Sequence, residues 1–340
     1  MSTRKIRGRF RPGNSSGSSC VHSCVRCLRK LVITVLGLYF AVCIAGGVLL
    51  AEMQLHPPRR PIRYTSKFTR DVRQNYLADV QDVSIIAADR VPLRAWYVKP
   101  QNDNGNAVIL LHGVGDNREG VAGYARIFLD RGYGVLLPDA RAHGLSGGTL
   151  ATYGLKESDD IHRWVEWLSA AHPACVYGFG ESMGAAMLLQ SLAWETRFCA
   201  VVVESSFARF DEVAPERAAR YTRMPFWFGR TVERPIVDFA LWYARRKYGL
   251  DFRQANPVDA LARSNVPVLL IAGTRDFDIL SHHSEELARI DARAQLWMVD
   301  GAAHGGAWGA NPDLFKTRVI GFLQQHQSPI KTVLAIQRNP

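Results

Sequence analysis

From about residue 80 the chain alternates two kinds of segment, and this alternation limits its fold more than any other feature of the sequence. Short apolar runs occur at Ala107–Leu111, Val135–Leu137, Val176–Phe179, Ala200–Val203, Val266–Ala272 and Gln295–Val299. Most are separated by stretches that read as helices, at 118–130, 155–171, 183–194, 282–290 and 312–325. Strands that are apolar along their whole length are buried on both faces, so the pattern predicts an α/β fold with a mostly parallel central sheet and helices on both sides. Ahead of them, Asp82–Ala87 and Leu93–Val98 alternate around Ala88-Asp89-Arg90 and predict an antiparallel hairpin at a sheet edge. One interval breaks the rhythm. Between Glu204 and Val266 lie about 60 residues rich in Arg and aromatics, and a connection that long reads as an inserted helical cap, over about 207–256.

The N-terminal part is of another kind. Leu31 to Ala51 is an uninterrupted run without a charged residue, against roughly 20 residues needed to cross a hydrocarbon core. A cleaved signal peptide has a shorter apolar stretch followed by a small-x-small site, and no clean site follows here. The run is therefore expected to be an uncleaved transmembrane anchor. The chain's net charge of +11 would fit a nucleic-acid binder if it were spread over a surface. It is not: the first 75 residues carry +12, which leaves the rest near neutrality, so no nucleic-acid partner is expected. Eight Lys or Arg and no acid precede the anchor in residues 1–30, and this places the N-terminus in the cytoplasm and the large domain outside it. The organisation expected is a basic tail (1–30), the anchor (31–51), a Pro- and Arg-rich linker (52–79), an α/β domain (80–325) and a C-terminal tail (326–340).

The chemistry is concentrated in three loops. Gly180-Glu181-Ser182-Met183-Gly184 follows one predicted strand and opens a predicted helix. That is the setting G-x-S-x-G requires, because a nucleophilic serine has to project from a tight strand-to-helix turn. A serine also needs a base, and the base an orienting acid. His304, in Asp300-Gly-Ala-Ala-His304-Gly-Gly, lies just past an apolar strand, whereas His282 and His283 open a helix and are expected to be exposed, and His326 lies in the tail. Asp276 lies in the loop at the carboxyl end of the strand Val266–Ala272, and Asp278, two residues on, is expected to cap the next helix. Leu110-Leu111-His112-Gly113-Val114 closes the first parallel strand. The N–H of Val114 is expected to join that of Met183 as the oxyanion donors, with Gly113 and His112 shaping the loop.

With these residues in view the chain resembles the α/β-hydrolase superfamily, and within it membrane-anchored serine hydrolases. The likeness covers about residues 80–325. It rests on LLHGVGDN, on Leu137-Pro138-Asp139-Ala140-Arg141-Ala142-His143-Gly144, on GFGESMGAA, on Asn256-Pro257-Val258-Asp259, on VPVLLIAGTRDFD and on DGAAHGG. It implies a Ser182–His304–Asp276 triad, structural roles for Asp139 and His143, and an acyl-ester or lipid substrate cleaved without a cofactor or metal. Ala142 stands where the family more often has Gly. A peptidase of the same fold and a non-catalytic binding protein are the alternatives. Cys20, Cys24 and Cys27 with His22 sit in a Ser- and Gly-rich tail that offers little to hold zinc; S-acylation is the other reading. Cys175 and Cys199 begin successive parallel strands at one sheet edge. They are either a disulfide, which would need an oxidising compartment, or two small buried thiols.

Overall fold

A computed structural model describes residues 16–63, 65–222 and 226–327, without the side chains of 16–23, 221–222, 226 and 229–230. Two helices, α1 (Ser16–Leu55) and α2 (Thr65–Tyr76), precede the sheet. The hairpin β1 (Val80–Ile86) and β2 (Pro92–Val98) leads into β3 (Ala107–Leu111), α3 (Ala122–Leu129), β4 (Gly134–Pro138), α4 (Glu157–Ser169), β5 (Val176–Glu181), α5 (Met183–Ser191) and β6 (Phe198–Glu204). Three helices then fill the long connection: α6 (Phe210–Thr222), α7 (Phe226–Thr231) and α8 (Arg234–Tyr248). The chain ends with α9 (Pro257–Leu261), β7 (Val268–Gly273), α10 (Ser281–Ile290), β8 (Gln295–Val299), α11 (Ala307–Ala310) and α12 (Pro312–Gln325).

The eight strands form one sheet in the order β1-β2-β4-β3-β5-β6-β7-β8. β1 and β2 pair antiparallel, β2 runs antiparallel to β4, and the remaining pairs are parallel. Every residue of β3, β4 and β7 is buried. The reason is that each face of the sheet is covered. Ile161, Trp164 and Leu188, from α4 and α5, pack on one face. Tyr124, Phe128, Phe315 and Val319, from α3 and α12, pack on the other.

The predicted helix 118–130 begins only at Ala122, because the preceding loop is tied to the sheet: the fully buried Arg118 donates from its backbone and its guanidinium to the Asp139 carboxylate. The stretch 52–79 is not a loose linker. α2 lays Phe68 and Val72 into the second core, and the Phe68 ring stacks on Trp96 with centroids 5.2 Å apart. Arg59 donates to the carbonyls of Gly144, Ser146 and Gly148, which binds the chain ahead of α2 to the loop after β4. Burial of a Phe or Val is worth about 1.5–3 kcal/mol apiece, enough to hold a short helix in place.

One helix of the described chain, over Cys24–Leu55, is long and apolar enough to cross a membrane. Its two halves differ. From residue 24 to 42 the side chains are exposed almost all round, whereas from residue 43 every fourth residue is buried, at Cys43, Gly47, Ala51 and Leu55. That second half packs against α8. A methyl group at Gly47 would lie 2.8 Å from the Ile236 carbonyl, so the two helices approach backbone to backbone there.

Cys175 and Cys199 form a disulfide with Cα atoms 5.7 Å apart, at the amino-terminal edge of β5 and β6. Cys24 and Cys27 are exposed free thiols; the side chains of Cys20 and His22 lie outside the described residues, as do 1–15 and the tail from 328.

Candidate active site

β5 runs into α5 through one residue, Ser182, at φ 54° and ψ −116°. A residue with a Cβ adopts such a conformation at a cost on the order of 1–3 kcal/mol, and only where its surroundings impose it. Two close approaches impose it here. A methyl group at position 180 would sit 2.6 Å from the Gly184 carbonyl oxygen, and one at position 184 would sit 2.3 Å from that of Leu111. Glycine at both positions lets strand, turn and helix close up, and the turn pushes the Ser182 hydroxyl above the carboxyl edge of the sheet. The Ser182 amide is fixed in turn by donating to the Glu204 carbonyl at 2.9 Å.

The loop after β8 brings His304 to this serine. Its Nε2 lies 2.8 Å from Ser182 Oγ, and its Nδ1 lies 2.9 Å from Asp276 Oδ2. Asp276 is almost fully buried, and its second oxygen accepts the amides of Asp278 and Ile279 at 2.9 Å each. Asp278 also comes within 4.8 Å of the pair, but its carboxylate forms its ion pair with Arg220, 3.3 Å away. Burial pushes the Asp276 carboxyl up, but the bond and charge of His304 and the Ile279 amide outweigh it and hold the group below the usual carboxylate range. For His304 burial acts downward, and the Asp276 bond with the charges of Asp276, Asp278 and Glu181 outweighs it, so the imidazole titrates above its ordinary value. Nδ1–H donating to Asp276 leaves Nε2 free to accept the serine proton.

On the other side of Ser182 stands the turn after β3. Gly113 approaches closely enough that a methyl group there would be 3.4 Å from the Ser182 Cβ. Val114 and Met183 line the same cavity as the serine. His112 is buried, accepts the Ala140 amide at Nε2 and sits 2.8 Å from the Gly113 carbonyl through Nδ1. Burial, reinforced by neighbouring His143, lowers its pKa to about 4, so it is neutral near pH 7 and orients the loop. His143 does the same one turn away by accepting the Gly115 amide. Ala142 has φ 61°, the left-handed region where glycine is at ease, and Ala occupies it at a modest cost.

Several residues that the sequence did not single out support the His304 loop from below. Glu204 accepts the Ala307 amide at 2.8 Å and is 1% exposed. Burial and the nearby Glu181 push its carboxyl up to about 7. Ser205 accepts the Gly305 amide, and Glu181 packs against Gly305. The polar run Glu204-Ser205-Ser206 ending an apolar strand was the available signal. The expectation for His283 is overturned. It is fully buried, because α6 folds over α10 and places the Glu216 carboxylate 3.1 Å from its Nε2; His282, part-exposed, meets the same carboxylate.

The cavity beside Ser182 is almost wholly apolar. Phe210, Val213 and Ala214 of α6, Val237, Ala240 and Leu241 of α8, and Leu50, Ala51, Gln54 and Leu55 of α1 form its walls. Trp227 and Phe228 are not among its lining residues, and Trp227 faces outward, so the inserted segment lines the cavity through α6 and α8 rather than α7.

A family model described as the alpha/beta hydrolase family matches residues 108–317. The Bacillus subtilis protein YqkD is 26% identical over 308 residues, covering 86% of this chain and 97% of its own. The Mycobacterium tuberculosis protein Rv2307c is 27% identical over 300 residues, covering 87% and 93%. Among solved structures, the Pyrococcus furiosus esterase Pf2001 superimposes with a TM-score of 0.63 at 25% identity, over 80% of this chain and all of that one.

Proposed function

The chain belongs to the alpha/beta hydrolase family, and we propose that it is a membrane-anchored serine hydrolase that cleaves carboxylic esters of acyl chains. The observation that carries this reading is the unbroken line of bonds from Ser182 Oγ through His304 to the Asp276 carboxylate. In that arrangement His304 Nε2 takes the hydroxyl proton as Ser182 attacks the ester carbonyl. The charge that develops on the carbonyl oxygen is met by the N–H groups of Val114 and Met183, at the start of α5 where the helix dipole also favours it. His304, now protonated and held by Asp276, gives its proton to the departing alkoxide. Water then enters and gives a proton to the same nitrogen as its oxygen attacks the acyl carbonyl, and the nitrogen returns that proton to Ser182 Oγ as the bond to serine breaks and the acid leaves. Each step uses groups of this chain and needs no metal or organic cofactor.

The apolar cavity and the likeness to an esterase favour an acyl ester over a peptide. The basic residues ahead of the apolar helix favour an N-terminus in the cytoplasm. A disulfide persists in oxidising compartments, which agrees with a domain on the far side. Labelling with a fluorophosphonate probe tests the reading, together with turnover of p-nitrophenyl esters of increasing chain length. Wild type is expected to be labelled and active, and Ser182→Ala neither. An unlabelled wild type that turns over no ester would refute it.

A further inference from the structure

The apolar helix that precedes the domain also forms part of the cavity beside the candidate nucleophile. Leu50, Ala51, Gln54 and Leu55, in its last two turns, share that cavity with Ser182. The Cys24–Leu55 stretch holds 32 residues, which at 1.5 Å each is about 48 Å. A hydrocarbon core takes up about 30 Å. Arg26, Arg29 and Lys30 keep the first turns of the helix out of that core, so the uncharged run 31–51 spans it and the last turns lie at its far face. The side chains before residue 43 face outward in nearly every direction, as in contact with lipid, and those from Cys43 onward bury one stripe against the protein.

α8 is fastened along this second half at two levels: Gly47 abuts Ile236 and Phe239, and Glu52 accepts from Tyr243, Tyr248 and Lys247. Just ahead of both, the Tyr39 hydroxyl donates to the Val232 carbonyl. The end of α1 is thus a fixed wall of the domain, placed where the helix emerges from the apolar layer. We infer that these last turns are the subsite for the substrate's acyl chain, and that the substrate is a long-chain acyl ester held by the bilayer itself. This rests on the reading of Ser182 as the nucleophile of an ester hydrolase. A single hydrocarbon tail lying along α1 passes from lipid to an apolar wall without being exposed to water, so its transfer has little hydrophobic cost. The ester group then reaches Ser182 within the same cavity.

The test uses the full chain in phosphatidylcholine vesicles and reads the ratio of kcat/KM for a dodecanoyl over a butanoyl p-nitrophenyl ester. Wild type is expected to favour the longer chain. Ala51→Trp fills the wall and is expected to lower the ratio at least about tenfold, and Leu50→Ala opens it and is expected to raise the ratio. Ala41→Trp, in the outward-facing half, should leave it within about twofold of wild type. Fluorophosphonate labelling of Ser182 shows that each variant is folded, and opposite shifts from the two wall variants are not what misfolding would produce. A wild-type ratio in a labelled Ala51→Trp and a labelled Leu50→Ala would overturn the inference, as would a wild type that is labelled yet prefers butanoyl. A wild type that takes no label overturns the reading of Ser182 instead, and the subsite falls with it.

Discussion

His304 stands between two opposing influences, burial that would keep it neutral and the Asp276 carboxylate that favours its charged form, and the carboxylate prevails. Because the neutral imidazole is the base, activity is lost as pH falls through the histidine's pKa. The acid limb of kcat/KM is therefore expected to have its midpoint above the ordinary 6.5 of a histidine. In Asp276→Asn the carboxylate that most raises the histidine's pKa is gone, so the limb should move to lower pH while kcat drops by about 10⁴. Asp278 faces His304 only through its charge and pairs with Arg220, so Asp278→Asn should cost less than about tenfold and shift the limb slightly downward. A pH series on the three proteins reads this directly. The reverse order of the two Asn variants would assign the acid to Asp278.

At the scale of elements, two glycines in helices have opposite fates. Gly184 opens α5 with no room for a methyl group, and Gly321 lies inside α12 with nothing within 4 Å of where one would go. Gly321→Ala is expected to stabilise the protein by about 0.5–1 kcal/mol through helix propensity. Gly184→Ala should cost at least about 1–3 kcal/mol and most of the activity, because the turn carrying Ser182 has to move. Phe68→Ala should cost about 3–5 kcal/mol if α2 is an integral part of the core, and close to nothing if it is a linker. Denaturant unfolding of the three variants decides each case. Much of this was legible in the sequence: the strands from their continuous apolar runs, the elbow from its two glycines, and Asp276 and His304 from their places past strand ends. The burial of His283, the docking of α2 and the use of Glu204 were not. Each depends on a partner far away in the chain (Glu216, Trp96, Ala307), and local pattern carries no record of which distant surface will cover a residue.

For the whole molecule, the two ends of the sheet have separate duties. The disulfide Cys175–Cys199 clamps the amino-terminal edge of β5 and β6, and Ser182 emerges from the opposite, carboxyl edge of β5. A cross-link spanning 24 residues stabilises by about 3 kcal/mol, mainly by restricting the unfolded chain. Reduction is therefore expected to lower Tm and to leave activity at 25 °C nearly intact, as thermal melts and ester assays with and without dithiothreitol would show. Equal melting temperatures would mean the bridge contributes no stability. In the proposed mechanism Ser182, His304 and Asp276 act as one acyl-transfer unit, which a double-mutant comparison tests. Ser182→Ala and His304→Ala should each lower kcat/KM by at least about 10⁴, and the double variant should lose little more than either alone. Losses that multiply in the double variant, or a Ser182→Ala protein with near-wild-type turnover, would contradict it.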